Sequence, residues 1–307
     1  GVWPISLEIS GARLSLNQDG SVQLTLGATE IGQGADTVFS QMVAETLHTD
    51  MEHVHIMSTQ DTDISPFDTG AYASRQSFVT GTAVRHCAEI LRDKILAYAK
   101  TLLPEIDTTE LELRDNWIWA GKERAISLAA LAEESYYSLT NSSVLTAEVS
   151  EQVKKNTIAT GCCFAEVEVD MKLGKIKVLH IINVHDSGKL LNPQLAEMQV
   201  HGGISMGMGY GISEQLILDE KTGRPLNGNL LDYKLMTILD TPELKADFVE
   251  LDDPIGPYGN KALGEPPAIP CAPAIRNAVL HATGVAFNEN PLTPQRLVDG
   301  FQKAGLI

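Results

Sequence analysis

The chain has 307 residues, 43% of them hydrophobic and 21% charged, a composition that supports packed cores and excludes a disordered polypeptide. Its 23 Lys and Arg against 40 Asp and Glu leave a formal charge of −17, a field that opposes phosphate backbones and anionic lipid and so argues against nucleic acid and membrane partners. Four cysteines are too few for a disulfide scaffold and fit a reducing compartment, the cytoplasm by default; no run approaches the ~20 apolar residues that a membrane span needs.

The sequence opens on Gly1-Val2-Trp3-Pro4, which lacks the charged and apolar regions of a signal peptide, so it is expected to begin inside a longer product or after processing. Leu14 and Leu16, then Val22, Leu24 and Leu26, alternate with polar residues around Asn17-Gln18-Asp19-Gly20, predicting a hairpin over 12–26 closed by an Asp-Gly turn. Past the glycine-rich segment 27–34, Val38, Met42, Val43 and Leu47 recur at helical spacing, so a helix is predicted to start near Ala35. A short strand over 53–57, a polar segment over 58–74 and a long helix over about 79–103, stopped by Pro104, come next. Residues 111–113 and 117–119 flank Arg114-Asp115-Asn116 as a second hairpin, and 128–137 has a helical pattern.

The pattern fades over 148–160, which places a boundary between domains 1–150 and 151–307. The second domain opens with strands over 164–170 and 176–184 around Leu173-Gly174-Lys175, then has a helix over 194–208 and a strand over 213–219. It ends with helices over about 272–283 and 294–303, preceded by a Pro- and Gly-rich loop over 252–270. These elements predict an α+β fold, with no internal repeat.

Gly203-Ile204-Ser205-Met206-Gly207 matches the Gly-x-Ser-x-Gly pattern of serine hydrolases, but the residues before it read as helix and not as the strand that a nucleophile elbow requires. A hydrolase using Ser205, or a noncatalytic assembly module, stays open as an alternative function. Gly207, Gly209 and Gly211 miss the dinucleotide spacing, because Ile212 stands where the third glycine is needed. His53 and His55 would share a strand face but have no Cys or carboxylate at ligand spacing, and the cysteines lack the spacing of an iron–sulfur cluster.

Three loops are more informative. Gly27-Ala28-Thr29-Glu30-Ile31-Gly32-Gln33-Gly34 lets the backbone approach a ligand, offers helix N–H groups to an anion and presents the Gln33 amide. The segment 68–77 joins small residues, hydroxyls and Arg75 just before a helix, as a phosphate-binding turn does. Lys261-Ala262-Leu263-Gly264-Glu265-Pro266-Pro267 holds one carboxylate in a loop stiffened by two prolines, suited to a general base.

Six segments in order carry a family resemblance: Gly-Ala-Thr-Glu-Ile-Gly-Gln-Gly at 27–34, Gly-Ala-Tyr-Ala-Ser-Arg at 70–75, Leu-Asn-Pro at 191–193, Gln-Val-His-Gly-Gly at 199–203, Asp-Tyr-Lys at 232–234 and Lys-Ala-Leu-Gly-Glu-Pro-Pro at 261–267. Over essentially its whole length the chain resembles the C-terminal half of the molybdenum-binding large subunit of the xanthine dehydrogenase and aldehyde oxidase family. The resemblance implies two α/β subdomains of a molybdopterin-binding domain, with 1–150 the first part and 151–307 the second part, which carries the catalytic Glu loop. It implies a molybdenum-pyranopterin whose dithiolene sulfurs hold the metal, so that no protein metal ligand is needed. Gln33 and Gln199 resemble the amides that bond the pterin, with the N–H groups of Gly32 and Gly34 beside it. Tyr72, Ala73, Ser74 and Arg75 resemble the turn that holds the cofactor's phosphates, and Ala-Ser-Arg is similar to bacterial members with the cytosine dinucleotide form. Lys261, Leu263 and Gly264 are implied as further cofactor contacts, Trp3 as a substrate-site aromatic and Glu265 as the catalytic base.

The implied reaction is hydroxylation of an electron-poor carbon with oxygen from water. The implied substrate is a purine such as xanthine or hypoxanthine, with nicotinate-like N-heteroaromatics, as in nicotinate dehydrogenases, and aldehydes as further classes. The implied partners are the N-terminal half of the molybdenum subunit, an iron–sulfur subunit and a flavin subunit carrying FAD.

Overall fold

Leu14 faces Leu24 and Leu16 faces Val22 across the antiparallel hairpin of β1 (Ile9–Leu16) and β2 (Val22–Leu26), all four side chains fully buried. Each such leucine contributes roughly 1.5–3 kcal/mol by leaving water. β3 (Val54–Met57) runs parallel to β2 and β7 (Thr146–Gln152) antiparallel to β1, giving the sheet order β3-β2-β1-β7. The helices α1 (Ala35–Leu47) and α2 (Gln76–Leu102) pack on this sheet and on each other. A smaller antiparallel sheet joins β4 (Leu111–Arg114), β5 (Trp117–Ala120) and β6 (Glu123–Ser127). It leads into α3 (Leu128–Tyr137), whose Ser127 cap accepts the Ala130 N–H at 3.2 Å.

This computed structural model describes residues 8–57 and 61–307 and divides into two units. The first is Gly1–Thr157 with Asp252–Lys261, and the second Ile158–Leu251 with Ala262–Ile307. Residues 252–261 return to the first unit because the Tyr258 hydroxyl donates to Met42 O at 2.9 Å and bonds Thr46, while Asn260 Nδ2 donates to Ser77 O at 3.0 Å. β7 lies where the apolar pattern fades, since its Thr-Ala-Glu-Val-Ser-Glu-Gln buries only Ala147 fully. Such a polar strand suits a sheet edge.

In the second unit, β8 (Thr160–Asp170) and β9 (Lys175–Asp186) form a long hairpin and β10 (Glu243–Phe248) lies parallel to β9. Val178 and Ile181 of β9 pack with Val200, Ile204 and Met208 of α4 (Pro193–Ile212) and with Cys271 and Ile275 of α5 (Cys271–Thr283). The helix α6 (Pro294–Lys303) closes a second cluster in which Phe287 and Phe301 meet edge to face at 5.6 Å. The structure overturns the strand expected over 213–219: that stretch forms only an isolated bridge between Leu218 and Pro225. The Asn227 amide takes a strand's place, accepting from Ile217 N at 2.8 Å and donating to Gln215 O at 2.6 Å. The third strand is β10 instead, within a stretch where no strand is expected.

Candidate functional site

The first unit positions the loops 27–34 and 68–76. Gly34, at φ +85, is the left-handed residue ahead of α1, a conformation that glycine adopts without a side-chain clash. The N–H groups expected to face an anion are already satisfied: Glu30 accepts from Gly32 N at 2.7 Å, Gly34 N at 3.1 Å and Asp36 N at 3.0 Å. Burial pushes the Glu30 carboxyl up, yet backbone bonds from Asp36, Gly32, Gly34 and Ala35 outweigh it and hold the group below its usual range. The expectation that Gly32 and Gly34 offer free N–H groups is therefore corrected: Glu30 supplies the anion. The Gln33 amide is held locally too, with Oε1 accepting from Ile31 N at 2.7 Å and Nε2 donating to Thr29 O at 2.8 Å and to Gln76 Oε1. Gln76 donates to the same Thr29 carbonyl at 3.0 Å.

Arg75 takes a different place from the one expected. Its guanidinium is fully buried, paired with Glu8 through Nε and with Asp68 through Nη1 at 2.7 Å, and it donates to the carbonyls of Gly70 and Ile9, each at 2.8 Å. Asp68 also accepts from Ser10 at 2.5 Å and from Thr80 at 3.1 Å. Two buried carboxylates need a buried cation, so Arg75 holds the turn from within and its side chain is not open to a phosphate. Ala73 and Ser74, at φ +49 and +55, are half-buried and follow the exposed Tyr72 in that turn. Two consecutive left-handed L-residues carry strain that persists only where the surroundings fix it; here they stand just ahead of the N-terminus of α2.

In the second unit, one face of α4 seats the Glu265 loop. Gln199 Nε2 donates to Gly264 O at 3.3 Å. One turn on, a side chain at Gly203 would come within 2.5 Å of Pro267 Cβ; a further turn on, one at Gly207 would meet Ala268 O at 2.5 Å. At Gly211 it would meet Ala272 at 3.1 Å. The Gly-x-x-x-Gly spacing thus serves close packing of helix on loop, and Ser205 sits inside a helix and on no nucleophile elbow. Asn183 Nδ2 donates to Pro267 O at 2.8 Å and Cys271 Sγ to the same oxygen at 3.2 Å, all within the core. Glu265 stands exposed at the turn of this anchored loop, with Ala268 N bonded to its carbonyl at 3.0 Å.

Leu263, half-buried, packs its side chain against the core cluster of the second unit. Lys261 is half-buried at the end of the first unit's returning segment. Trp3 lies outside the described residues. His53 falls in a 3-10 turn (Met51–His53) while His55 lies on β3, so they do not share a strand. Among the described residues no group of three or more His, Cys, Asp or Glu could hold a metal ion. Sequence reasoning missed Glu30, Asp68, Gln76 and Asn183. Glu30, Asp68 and Gln76 lie inside the two loops singled out in the sequence, whereas Asn183, on a buried strand, carried no local signal.

A family profile described as the molybdopterin cofactor-binding domain matches residues 2–242. The putative xanthine dehydrogenase molybdenum-binding subunit XdhA of Escherichia coli K12 is 50% identical over 99% of this chain, which covers 41% of that protein. The probable hypoxanthine oxidase XdhD of the same organism is 32% identical over 97% of the chain and 31% of the relative. Quinoline 2-oxidoreductase from Pseudomonas putida 86 superposes with a TM-score of 0.86 at 26% identity, over 96% of this chain and 38% of its own. The chain thus spans less than half the length of the relatives it matches.

Proposed function

The chain belongs to the molybdopterin cofactor-binding domain family, and on that premise we propose that it forms the C-terminal half of the molybdenum-binding subunit of a xanthine dehydrogenase-type hydroxylase. Three observations support the fit to a pyranopterin. Gln199 uses only its amide N–H, at 3.3 Å, among the described residues, which leaves its carbonyl oxygen for a cofactor donor. Gly32 has open space where a side chain would stand, so a planar group could lie against its backbone. Ala73 and Ser74 turn their strained peptides ahead of the N-terminus of α2, where a helix favours phosphate. Arg75 contributes by holding that turn, and Gln33 reaches the group by exchanging its bonds to Thr29 and Gln76.

When bound, the group supplies two-electron redox chemistry and ligates molybdenum through its own dithiolene sulfurs. Glu265, as general base, takes the proton from the oxygen derived from water as that oxygen adds to an electron-poor carbon of the substrate. The observation that carries this reading is the seating of Glu265: three α4 residues at one-turn spacing, with Asn183 and Cys271, fix the loop while Glu265 itself stays exposed. A rigid support of this kind is what a general base requires.

The Ala73-Ser74-Arg75 turn favours the cytosine dinucleotide form of the cofactor. Electrons leave through an iron–sulfur subunit and a flavin subunit with FAD, and the N-terminal half of the molybdenum subunit completes the substrate pocket. The substrate class is a purine or related N-heteroaromatic, and four free thiols suit the cytoplasm. Among the described residues no helix is long and apolar enough to cross a membrane.

Molybdenum and pterin analysis of the complete purified enzyme, with turnover assays on xanthine, nicotinate and an aldehyde, tests the reading. Both components and preferential turnover of xanthine are expected. A preparation that holds neither molybdenum nor pterin contradicts it, and preference for nicotinate or an aldehyde reassigns the substrate.

A further inference from the structure

The second unit carries an apolar surface that its own core does not use. Around α4, Val200, Ile204 and Met208 enter the core and Gly203, Gly207 and Gly211 press on the Pro267 loop and α5. On the remaining side Met198, Met206 and Tyr210 are 61%, 67% and 61% exposed. Gln194, Glu197, His201 and Ser205 form a polar face beside this stripe, so the two methionines and the tyrosine are an apolar strip flanked by polar residues and left outside the core. Between the two methionines, Gly202 is exposed and has no atom within 4 Å of the position its side chain would take, which leaves a notch in the stripe.

The segment 213–242 follows α4 directly, is tied to its C-terminal end by Ser213 Oγ donating to Lys234 O at 2.9 Å, and carries further exposed apolar side chains. Leu230, Leu231, Ile238 and Leu239 project outward, the last two 90% and 93% exposed. The segment is nonetheless held in a defined conformation: Asn227 anchors Ile217 and Gln215, Asn229 accepts from Leu231 N at 3.0 Å and Asp240 from Thr237 N at 2.9 Å. Ordered backbone that turns its leucines outward creates the kind of patch that marks an interaction site.

We infer that the exposed stripe of α4 and the segment 213–242 are the docking surface for the rest of the molybdenum-binding subunit, whether joined to this chain or separate. Length identifies the occupant. XdhA matches along 99% of this chain at 50% identity, yet the match accounts for 41% of XdhA, so more than half of such a subunit is left to pack against these elements. The occupant presents an apolar face with one side chain that enters the Gly202 notch. The inference rests on the reading of the chain as part of a larger subunit, but not on the cofactor or on Glu265.

The test uses the complete enzyme. Benzoylphenylalanine placed at position 206 is photo-crosslinked and the adducts are mapped by mass spectrometry, while hydroxyl-radical oxidation of the unmodified enzyme reads Met198 and Met206 against the buried Met42 and Met208. The expected result is crosslinks to subunit sequence outside these 307 residues, with Met198 and Met206 oxidised as slowly as Met208. Crosslinks to a second copy of this chain or to lipid overturn the inference, as does oxidation as fast as in the urea-unfolded enzyme. Crosslinking to the expected sequence in a preparation without molybdenum would preserve the surface and remove the proposed function.

Discussion

Asn183, buried at the C-terminal half of β9, donates its side-chain amide to the carbonyl oxygen of Pro267 at 2.8 Å, two residues beyond Glu265. The bond ties the loop that carries the carboxylate to the central strand of its sheet. Asn183→Leu removes one of two donors to that carbonyl and leaves Cys271, so the stability loss is about 1 kcal/mol. In the complete enzyme, kcat is expected to fall while KM changes little. A parental urea midpoint together with a parental kcat would contradict this role.

Gly203 tests the same seat from α4. Gly203→Ala puts a methyl 2.5 Å from Pro267 Cβ, and the loop backbone must give way. Overpacking of this kind costs roughly 1–3 kcal/mol. The expected outcome is lowered turnover with retained cofactor, read by steady-state kinetics and metal analysis of one preparation.

Arg75 distinguishes a structural cation from a phosphate ligand. Arg75→Ala leaves Glu8 and Asp68 buried without their partner, at a cost of roughly 3–5 kcal/mol. Thermal denaturation of the complete enzyme is expected to show a large drop in Tm. Loss of cofactor at an unchanged Tm would instead make Arg75 a ligand.

His185 predicts a pH dependence. It is 1% exposed, neither ring nitrogen has a hydrogen-bond partner among the described residues, and burial pushes its pKa below the ordinary value of 6.5. The unfolded chain therefore binds the proton first. The stability contributed by the neutral ring is complete above the unfolded pKa and is lost as pH falls from about 6.5 through the folded value. His185→Leu is expected to flatten the urea midpoint against pH over that acidic range, and an unchanged slope would show that other groups set it.

Much of this organisation was legible in the sequence, for identifiable reasons. Strong alternation and helical spacing marked β1, β2, α1 and α4, because each has one face sealed in a core. The polar edge strand β7 and the short β10 lacked that contrast, and the apolar run from Leu216 to Leu218 suggested a strand although all three residues face outward. Gln199 and the Glu265 loop stood out as local motifs, and the structure brings them together through the bond from Gln199 to Gly264 O. The roles of Glu30 and Arg75 could not be read from local motifs, because their partners are set by folding: a carboxylate closes the end of α1, and Glu8 is 67 residues from Arg75. The glycines at 203 and 207 were visible as a pattern, but their purpose lay in the proline loop some sixty residues on.

Glu265 as the base of a molybdenum hydroxylase is tested most directly by kcat of Glu265→Gln in the complete enzyme, with molybdenum and pterin quantified in the same sample. Loss of the base is expected to lower kcat by about 10² to 10⁴ with cofactor content unchanged. Turnover at the parental rate with full cofactor would contradict the account.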